Sequence, residues 1–209
     1  NFFLFTPFLH EVATGGVETR HIAVPLRFMA RDRFTFVLGE VESIDLQNHL
    51  VKTTRGDLPY DYLVIGLGSV QDMPGIPVES SDFFSLKNLY DGLYLRNHII
   101  ACFEEAEASP VTAPGLLTFV VIGGGATGVQ LVAEMRDFAH GSLLRSYPRV
   151  DPEQVRFVLI HDQEALLPGM DGDLGKYALA TLRRKGVEVR LGRRVTRIGP
   201  QGVEVDGGD

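Results

Sequence analysis

Between Phe34 and Gly68 apolar and polar positions alternate in short bursts. Phe34 to Leu38, Val41 to Asp45, His49 to Thr53 and Tyr62 to Ile65 are each rich in β-branched and aromatic residues. Asn48 and the cluster Arg55, Gly56 and Asp57 supply turns between several of them, so the spacing predicts a small antiparallel β-meander. A loop punctuated by proline and glycine, Asp72 to Pro77, follows. From Ser85 to Ala108 the period lengthens. Leu89, Leu93, Ile99, Ile100 and Phe103 recur near helical spacing, which predicts an amphipathic helix ended by Pro110 and Pro114.

The pattern then changes to a continuous apolar run, Leu116 to Ile122, as expected for a strand buried on both faces of a parallel sheet. A helix starting near Ala126 would bury Val129, Val132 and Ala133, and Val155 to Ile160 would form the second strand. A second helix, with Asp171 or Asp173 as N-cap, would put Leu174, Tyr177, Ala178, Thr181 and Leu182 on one face. It stops near Gly186 and feeds a strand, Val187 to Leu191. Strand, helix, strand, helix, strand is half of a doubly wound α/β domain. Arg136 to Gln154 is long for a helix-to-strand connection, and Pro148 and Pro152 mark it as an insertion.

The first strand runs straight into Gly123-Gly124-Gly125-Ala126-Thr127-Gly128, a G-x-G-x-x-G turn between a strand and a helix. Gly123 permits the tight turn, Gly125 lets a pyrophosphate approach the backbone, and Gly128 lets the helix lie close on the strand. The helix start offers unpaired N–H groups and the positive end of its dipole to that phosphate. A glycine-rich turn can also join strand to helix with no ligand, but the flanking strand, helix and βαβ continuation favour the dinucleotide reading. An acidic side chain at the end of the second strand normally accepts the adenosine ribose hydroxyls, and Asp162 is the candidate; its alternative is a turn residue bonding its own backbone. No arginine lies between His161 and Leu167 to hold a phosphate, which favours NAD over NADP. Gly66-Leu67-Gly68 is followed by Asp72, Pro74 and Gly75 rather than a helix, so it is not a second dinucleotide turn.

Composition narrows the classes. The net charge is −7 and the basic residues are scattered, which argues against a nucleic-acid partner. The single cysteine, Cys102, cannot form an intrachain disulfide and is expected to pack in the core. Asn1 to Phe8 has no basic leader or cleavage site, and no apolar run reaches the length of a membrane span, so a soluble or peripheral chain is expected. No His, Cys and carboxylate cluster has metal-ligand spacing, and neither a metal nor a side-chain nucleophile is expected in catalysis.

Four strings together resemble type II NADH dehydrogenases, the non-proton-pumping NADH:quinone oxidoreductases of the pyridine nucleotide-disulfide oxidoreductase superfamily. They are Phe3 to Gly15 (FLFTPFLHEVATG), Tyr60 to Ser69 (YDYLVIGLGS), Leu86-Lys87 with Arg96 to Ile99, and Val121 to Val129 (VIGGGATGV). The resemblance covers the chain in order and spacing. It implies a two-dinucleotide flavoprotein fold in which an FAD domain is interrupted by an NADH domain, and hydride passes from NADH to flavin and electrons on to a quinone. It also implies an internal piece: residues 1–84 as part of the FAD domain with the β-meander, 85–114 as a connecting helix, and 115–209 as a C-terminally incomplete NAD(P)H-binding βαβ domain. A homodimer is compatible with it, as is a cytoplasmic location with peripheral contact at the inner membrane face through parts not in this chain.

By the same resemblance, Thr6 and Pro7 lie against the flavin, Val41 beside the FAD adenine, and Gly66 and Gly68 near the isoalloxazine. His10 and Glu11 match a stretch near the quinone entry, though for His10 an ordinary solvated helix or loop histidine is the favoured reading. Gln130, near the nicotinamide, and His161, at the ribose, stand where relatives usually carry Glu. Two other readings stand beside the quinone reductase: a binding module that holds NADH without redox activity, and an NAD(P)H-dependent reductase of a soluble acceptor such as ferredoxin.

Overall fold

A computed structural model describes residues 2–31, 33–70, 75–81, 83–109 and 113–207; Asp72, Pro74 and Pro110 lie outside the described residues. Contacts gather the chain into two units, Asn1–Leu4 with Arg20–Val70, and Phe5–Thr19 with Gln71–Asp209.

In the first unit, β1 (Phe2–Leu4) pairs antiparallel with β2 (Ala23–Pro25). β3 (Val41–Asp45), β4 (Leu50–Thr53) and β5 (Leu58–Pro59) form a three-stranded antiparallel sheet. The first hairpin closes on Asp45, whose carboxylate accepts the Gln47 and Asn48 N–H groups at 3.0 Å each. The second closes on Thr53, whose hydroxyl donates to the Gly56 carbonyl at 2.7 Å. The meander is therefore present, with two corrections. Phe34 to Leu38 and Tyr62 to Ile65 are not strands, and β5 is the short pair Leu58–Pro59. Tyr62 is 96% exposed and Val64 90%, so this apolar stretch has neither a ladder nor a core face; β-propensity expresses itself only where a neighbour strand supplies both.

In the second unit, β6 (Thr118–Ile122), β7 (Arg156–Ile160) and β8 (Glu188–Arg190) form a parallel sheet in that order. The hairpin of β9 (Val195–Gly199) and β10 (Gly202–Val205) follows. β7 is the strand buried on both faces. Phe157 and Leu159 enter the main core with Phe103, Ile99, Val132 and Leu182, while Val158 and Ile160 pack with Val195 and Ile198 of the hairpin. The first strand of the unit, expected to be buried on both faces, is instead the sheet edge: Phe119 and Val121 are buried, but Val120 and Ile122 remain partly exposed.

The connecting helix is Leu89–Ala108 and starts later than the periodicity predicts, because Asn88 and Asp91 form a reciprocal capping box. Cys102 is buried in the core, 3.6 Å from His98 Nε2. The segment after the glycine turn is helical from Ala126 to Phe138 and continues through a π-helical stretch, Ala139–Leu143, so the predicted insertion is mostly an extension of that helix. Helix Gly172–Arg184 is capped by Asp171, whose carboxylate accepts the Asp173 N–H at 2.8 Å. Its buried face is Gly175, Ala178 and Leu182, whereas Leu174 and Tyr177, expected inside, are exposed. The bare Cα of Gly175 lies against the Leu166 carbonyl and turns the helix so that those two face out.

Candidate functional site

The glycine turn begins as an extension of the sheet: the Gly123 N–H donates to the Ile160 carbonyl at 2.8 Å. Gly123 then takes φ +112°, which only glycine adopts without strain, and the chain leaves β6 at a sharp angle. Gly125 is the N-cap of helix Ala126–Phe138 and provides no side-chain cap. The first helical bond runs from the Val129 N–H to the Gly125 carbonyl at 3.0 Å, so the N–H groups of Ala126, Thr127 and Gly128 precede the ladder. No acidic residue lies in that first turn, which leaves the positive end of the helix dipole unopposed.

Each glycine meets a different neighbour. A Cβ built on Gly125 meets nothing within 4 Å, so the backbone there faces open space. A Cβ on Gly128 would run into the Gly123 carbonyl oxygen and touch Val121, so the close approach of helix to strand is built on it. Gly124, to which the motif assigns no role, is buried, and a Cβ there would lie 2.5 Å from His161 Cδ2 and 2.8 Å from Leu166 Cδ2. Thus the middle glycine makes room for the histidine ring that follows β7.

His161 is buried and its backbone is pinned on both sides. Its N–H donates to the Arg190 carbonyl at 2.9 Å, and its carbonyl accepts the Arg193 N–H at 2.9 Å. Nδ1 stands 3.4 Å from Asp162 Oδ1, while Nε2 is buried with no hydrogen-bond partner among the described residues. The segment continues over the glycine turn, where Leu167, in the left-handed region at φ +56°, donates its N–H to the Gly124 carbonyl at 2.8 Å.

Asp162 is exposed at the end of β7, where a ribose-reading carboxylate is expected, but it already has two neighbours. Besides His161, the Arg194 Nη2 lies 3.8 Å from its Oδ2. Arg194 is held by its backbone, its N–H donating to Asp206 Oδ1 at 2.8 Å, while its side chain stays 72% exposed. Sequence separation hides this arginine. The Arg193-Arg194 pair just after β8 is the signal for it, since the ends of adjacent parallel strands meet.

Gln130 is exposed on the glycine-turn helix, with Ala126 and Thr127 also exposed at its start. Thr6 and Pro7 form an exposed 3-10 turn, Thr6–Phe8, in the second unit. Val41, Gly66 and Gly68 belong to the first unit and are exposed; a Cβ at Gly66 or Gly68 meets nothing within 4 Å. His10 is buried in helix Leu9–Ala13, against the solvated reading, because this short helix packs on Leu89–Ala108 and Ala126–Phe138. A hollow lined by Gln47, Asn48, His49, Pro59, Tyr60 and Asp61 lies in the first unit and contains none of these candidates. Among the described residues no three His, Cys, Asp or Glu side chains gather as a metal site, and no helix is long and apolar enough to cross a membrane.

A parallel sheet, a bare glycine corner and a helix mouth facing open space define an α/β protein of doubly wound type, and the chain belongs to the pyridine nucleotide-disulphide oxidoreductase family, whose model matches residues 1–209. Within it, relatives of this chain include proteins named as NADH dehydrogenases, the group that the sequence strings resemble. The chain is 37% identical over 221 residues to a protein of Dictyostelium discoideum named "Probable NADH dehydrogenase", covering 100% of this chain and 49% of that protein. It is 34% identical over 214 residues to the type II NADH:quinone oxidoreductase Ndh of Mycobacterium tuberculosis, covering 99% of this chain and 46% of the relative. The chain thus spans about half the length of these relatives. Its fold matches NDH2 from Plasmodium falciparum in complex with NADH with a TM-score of 0.82 at 20% identity, over 98% of this chain and 44% of that one.

Proposed function

We propose that this chain carries the NADH-binding part, and a portion of the FAD-binding part, of an oxidoreductase that moves a hydride from NADH to flavin and electrons on to a quinone. The observation that carries this reading is the corner at Gly125, where open space meets three N–H groups at a helix start. Relatives named NADH:quinone oxidoreductase support the substrates. In this reading the pyrophosphate sits on Gly123 to Gly128, the adenosine ribose at His161 and Asp162, and the nicotinamide toward Gln130. The flavin supplies the redox chemistry when bound, and the bare backbone at Gly66 and Gly68 fits the approach of a flat ring. Thr6, Pro7 and Val41 would line that cofactor, and His10 and Glu11 belong near the acceptor. Residues 1–84, 85–114 and 115–209 would serve as flavin part, connector and dinucleotide part. A location at the inner face of a membrane, and a homodimer, belong to the same proposal.

The residues' work is binding and orientation. The helix mouth neutralises the diphosphate, Gly125 leaves the approach clear, and Gln130 offers an amide NH₂ to donate and an amide oxygen to accept, without charge. A second reading, a module that binds NADH without oxidising it, is favoured by the exposure of the candidate flavin positions Val41, Gly66 and Gly68. Titration with NADH and FAD, followed by an assay of quinone-dependent NADH oxidation, separates the two. Binding of NADH with no FAD uptake and no turnover leaves the module; absence of NADH binding refutes both.

A further inference from the structure

Helix Gly172–Arg184 carries two apolar rows, and the fold uses one of them. Gly175, Ala178 and Leu182 face the core. Met170, just ahead of the N-cap, begins a second row that continues through Leu174, Tyr177 and Thr181 at steps of four, three and four, the repeat of helices that pair. Met170 is 52% exposed, Leu174 45% and Tyr177 65%. Three large side chains on one line in solvent form a contiguous apolar patch, unlike a single exposed leucine.

The two ends of this row carry opposite charge. Asp171 and Asp173 stand at its start, Arg183 and Arg184 at its end, and all four are exposed. The Arg184 Nη2 donates to Thr181 Oγ1 at 3.4 Å, which holds the guanidinium over the row. Asp173 pairs with Lys176 of its own helix at 3.0 Å, an exposed contact that yields to a better partner at little cost. Lys185, the next residue, is tied to Asp137 and stays out of the row.

Such a surface is complementary to itself when a second copy runs the opposite way. A two-fold axis at Tyr177 brings Met170 level with the partner's Arg184 and Asp173 level with the partner's Thr181. Leu174 then meets the partner's Ala180 and Thr181, both small, and acid meets base at each end. The helix dipoles also oppose, whereas a parallel pair would set acid on acid and base on base.

We propose that the row Met170, Leu174 and Tyr177 is an isologous contact on which a second copy of this chain packs its own helix Gly172–Arg184, antiparallel to the first. This supplies a surface for the homodimer and depends on neither NADH nor quinone. A helix about 20 Å long buries less than the roughly 1,200 Å² of a standard interface, so the association is weak and dependent on concentration.

The test is sedimentation equilibrium of the chain from about 5 to about 500 µM, where a dissociation constant of about 10–100 µM is expected. Arg184→Glu sets a carboxylate against the partner's Asp171 and Asp173, and Asp173→Lys sets an ammonium against the partner's Arg184. Each alone should weaken self-association at least about tenfold. An equal mixture of the two restores opposite charges at both ends and should associate within about threefold of the wild type. Tyr177→Lys leaves the charges at the helix ends as they are but places two like charges on the axis, and should abolish association. A wild type monomeric up to about 500 µM, association undiminished in these variants, or a mixture no tighter than its components overturns the proposal. Titration with ADP-ribose is read separately: its failure removes the dinucleotide reading and leaves this contact standing, and the reverse holds as well.

Discussion

Gly125 and Gly128 lie three residues apart in one motif, and the structure assigns them separable jobs that paired substitutions can measure. Gly125 adopts φ −74° and ψ −179°, an ordinary extended conformation, and a Cβ there touches nothing. Valine at this position should therefore cost only the poorer N-cap, about 1 kcal/mol, or a fall in Tm of about 2–4 °C for a chain this size. Its methyl groups would occupy the space a diphosphate needs. Losing one to two charge-assisted hydrogen bonds from the helix mouth removes about 3 kcal/mol, roughly a hundredfold in the Kd for ADP-ribose. Alanine at Gly128 should behave in the opposite way, because its methyl would press on the Gly123 carbonyl oxygen and drive helix and strand apart. Overpacking against backbone costs about 3 kcal/mol, or about 6–12 °C in Tm. Differential scanning fluorimetry and calorimetric titration on the same two variants give both numbers. Equal Tm losses in the two, or full ADP-ribose affinity in Gly125→Val, would refute the division of roles and the placement of the phosphate.

Other perturbations test the frame that holds the site. Burial raises the Asp91 carboxyl, but hydrogen bonds from the Lys87 N–H, the Ser85 hydroxyl and Asn88 outweigh it and hold the group below the ordinary value of 3.8. A lowered value stabilises the fold above the ordinary carboxylate range, and that contribution disappears as pH falls through the lowered value. Asp91→Asn should thus cost about 1 kcal/mol at neutral pH, and its Tm deficit should shrink below about pH 4; a deficit constant with pH would count against the capping box. Asp171→Ala removes the cap on helix Gly172–Arg184 and should cost about 1 kcal/mol by urea denaturation, with ADP-ribose binding retained; no loss would mean the cap is idle. Leu159→Ala, at a fully buried core position, should cost about 2–5 kcal/mol, and a loss under 1 kcal/mol would show the sheet core to be misplaced.

The sequence exposes those parts of the fold whose physics is local. The strand, turn and helix around Gly123, the Asp171 cap and the hairpin turns at Asn48 and Gly56 follow from residues within a few positions of one another. Tyr62 to Ile65 misleads because its β-branched and aromatic residues state a preference for a sheet, and pairing is decided elsewhere in the chain. Leu174 and Tyr177 sit at helical spacing with Ala178, but packing of Gly175 on Leu166 sets the rotation of that helix. The same limit applies to the candidate site. The glycines announce the turn and the bare helix start, while Arg194 reaches Asp162 only because two parallel strands end side by side. The reason for Gly124 becomes visible only with the His161 ring in place.

The bond from the Leu167 N–H to the Gly124 carbonyl also bears on redesign. It stitches the segment that follows β7 to the glycine corner, so the two form a single cassette rather than interchangeable parts. Grafting residues 161–167 from a relative would bring side chains shaped for another glycine corner, where here His161 and Leu166 pack against Gly124. A transplant that carries the stretch 123–128 along with it preserves the fit.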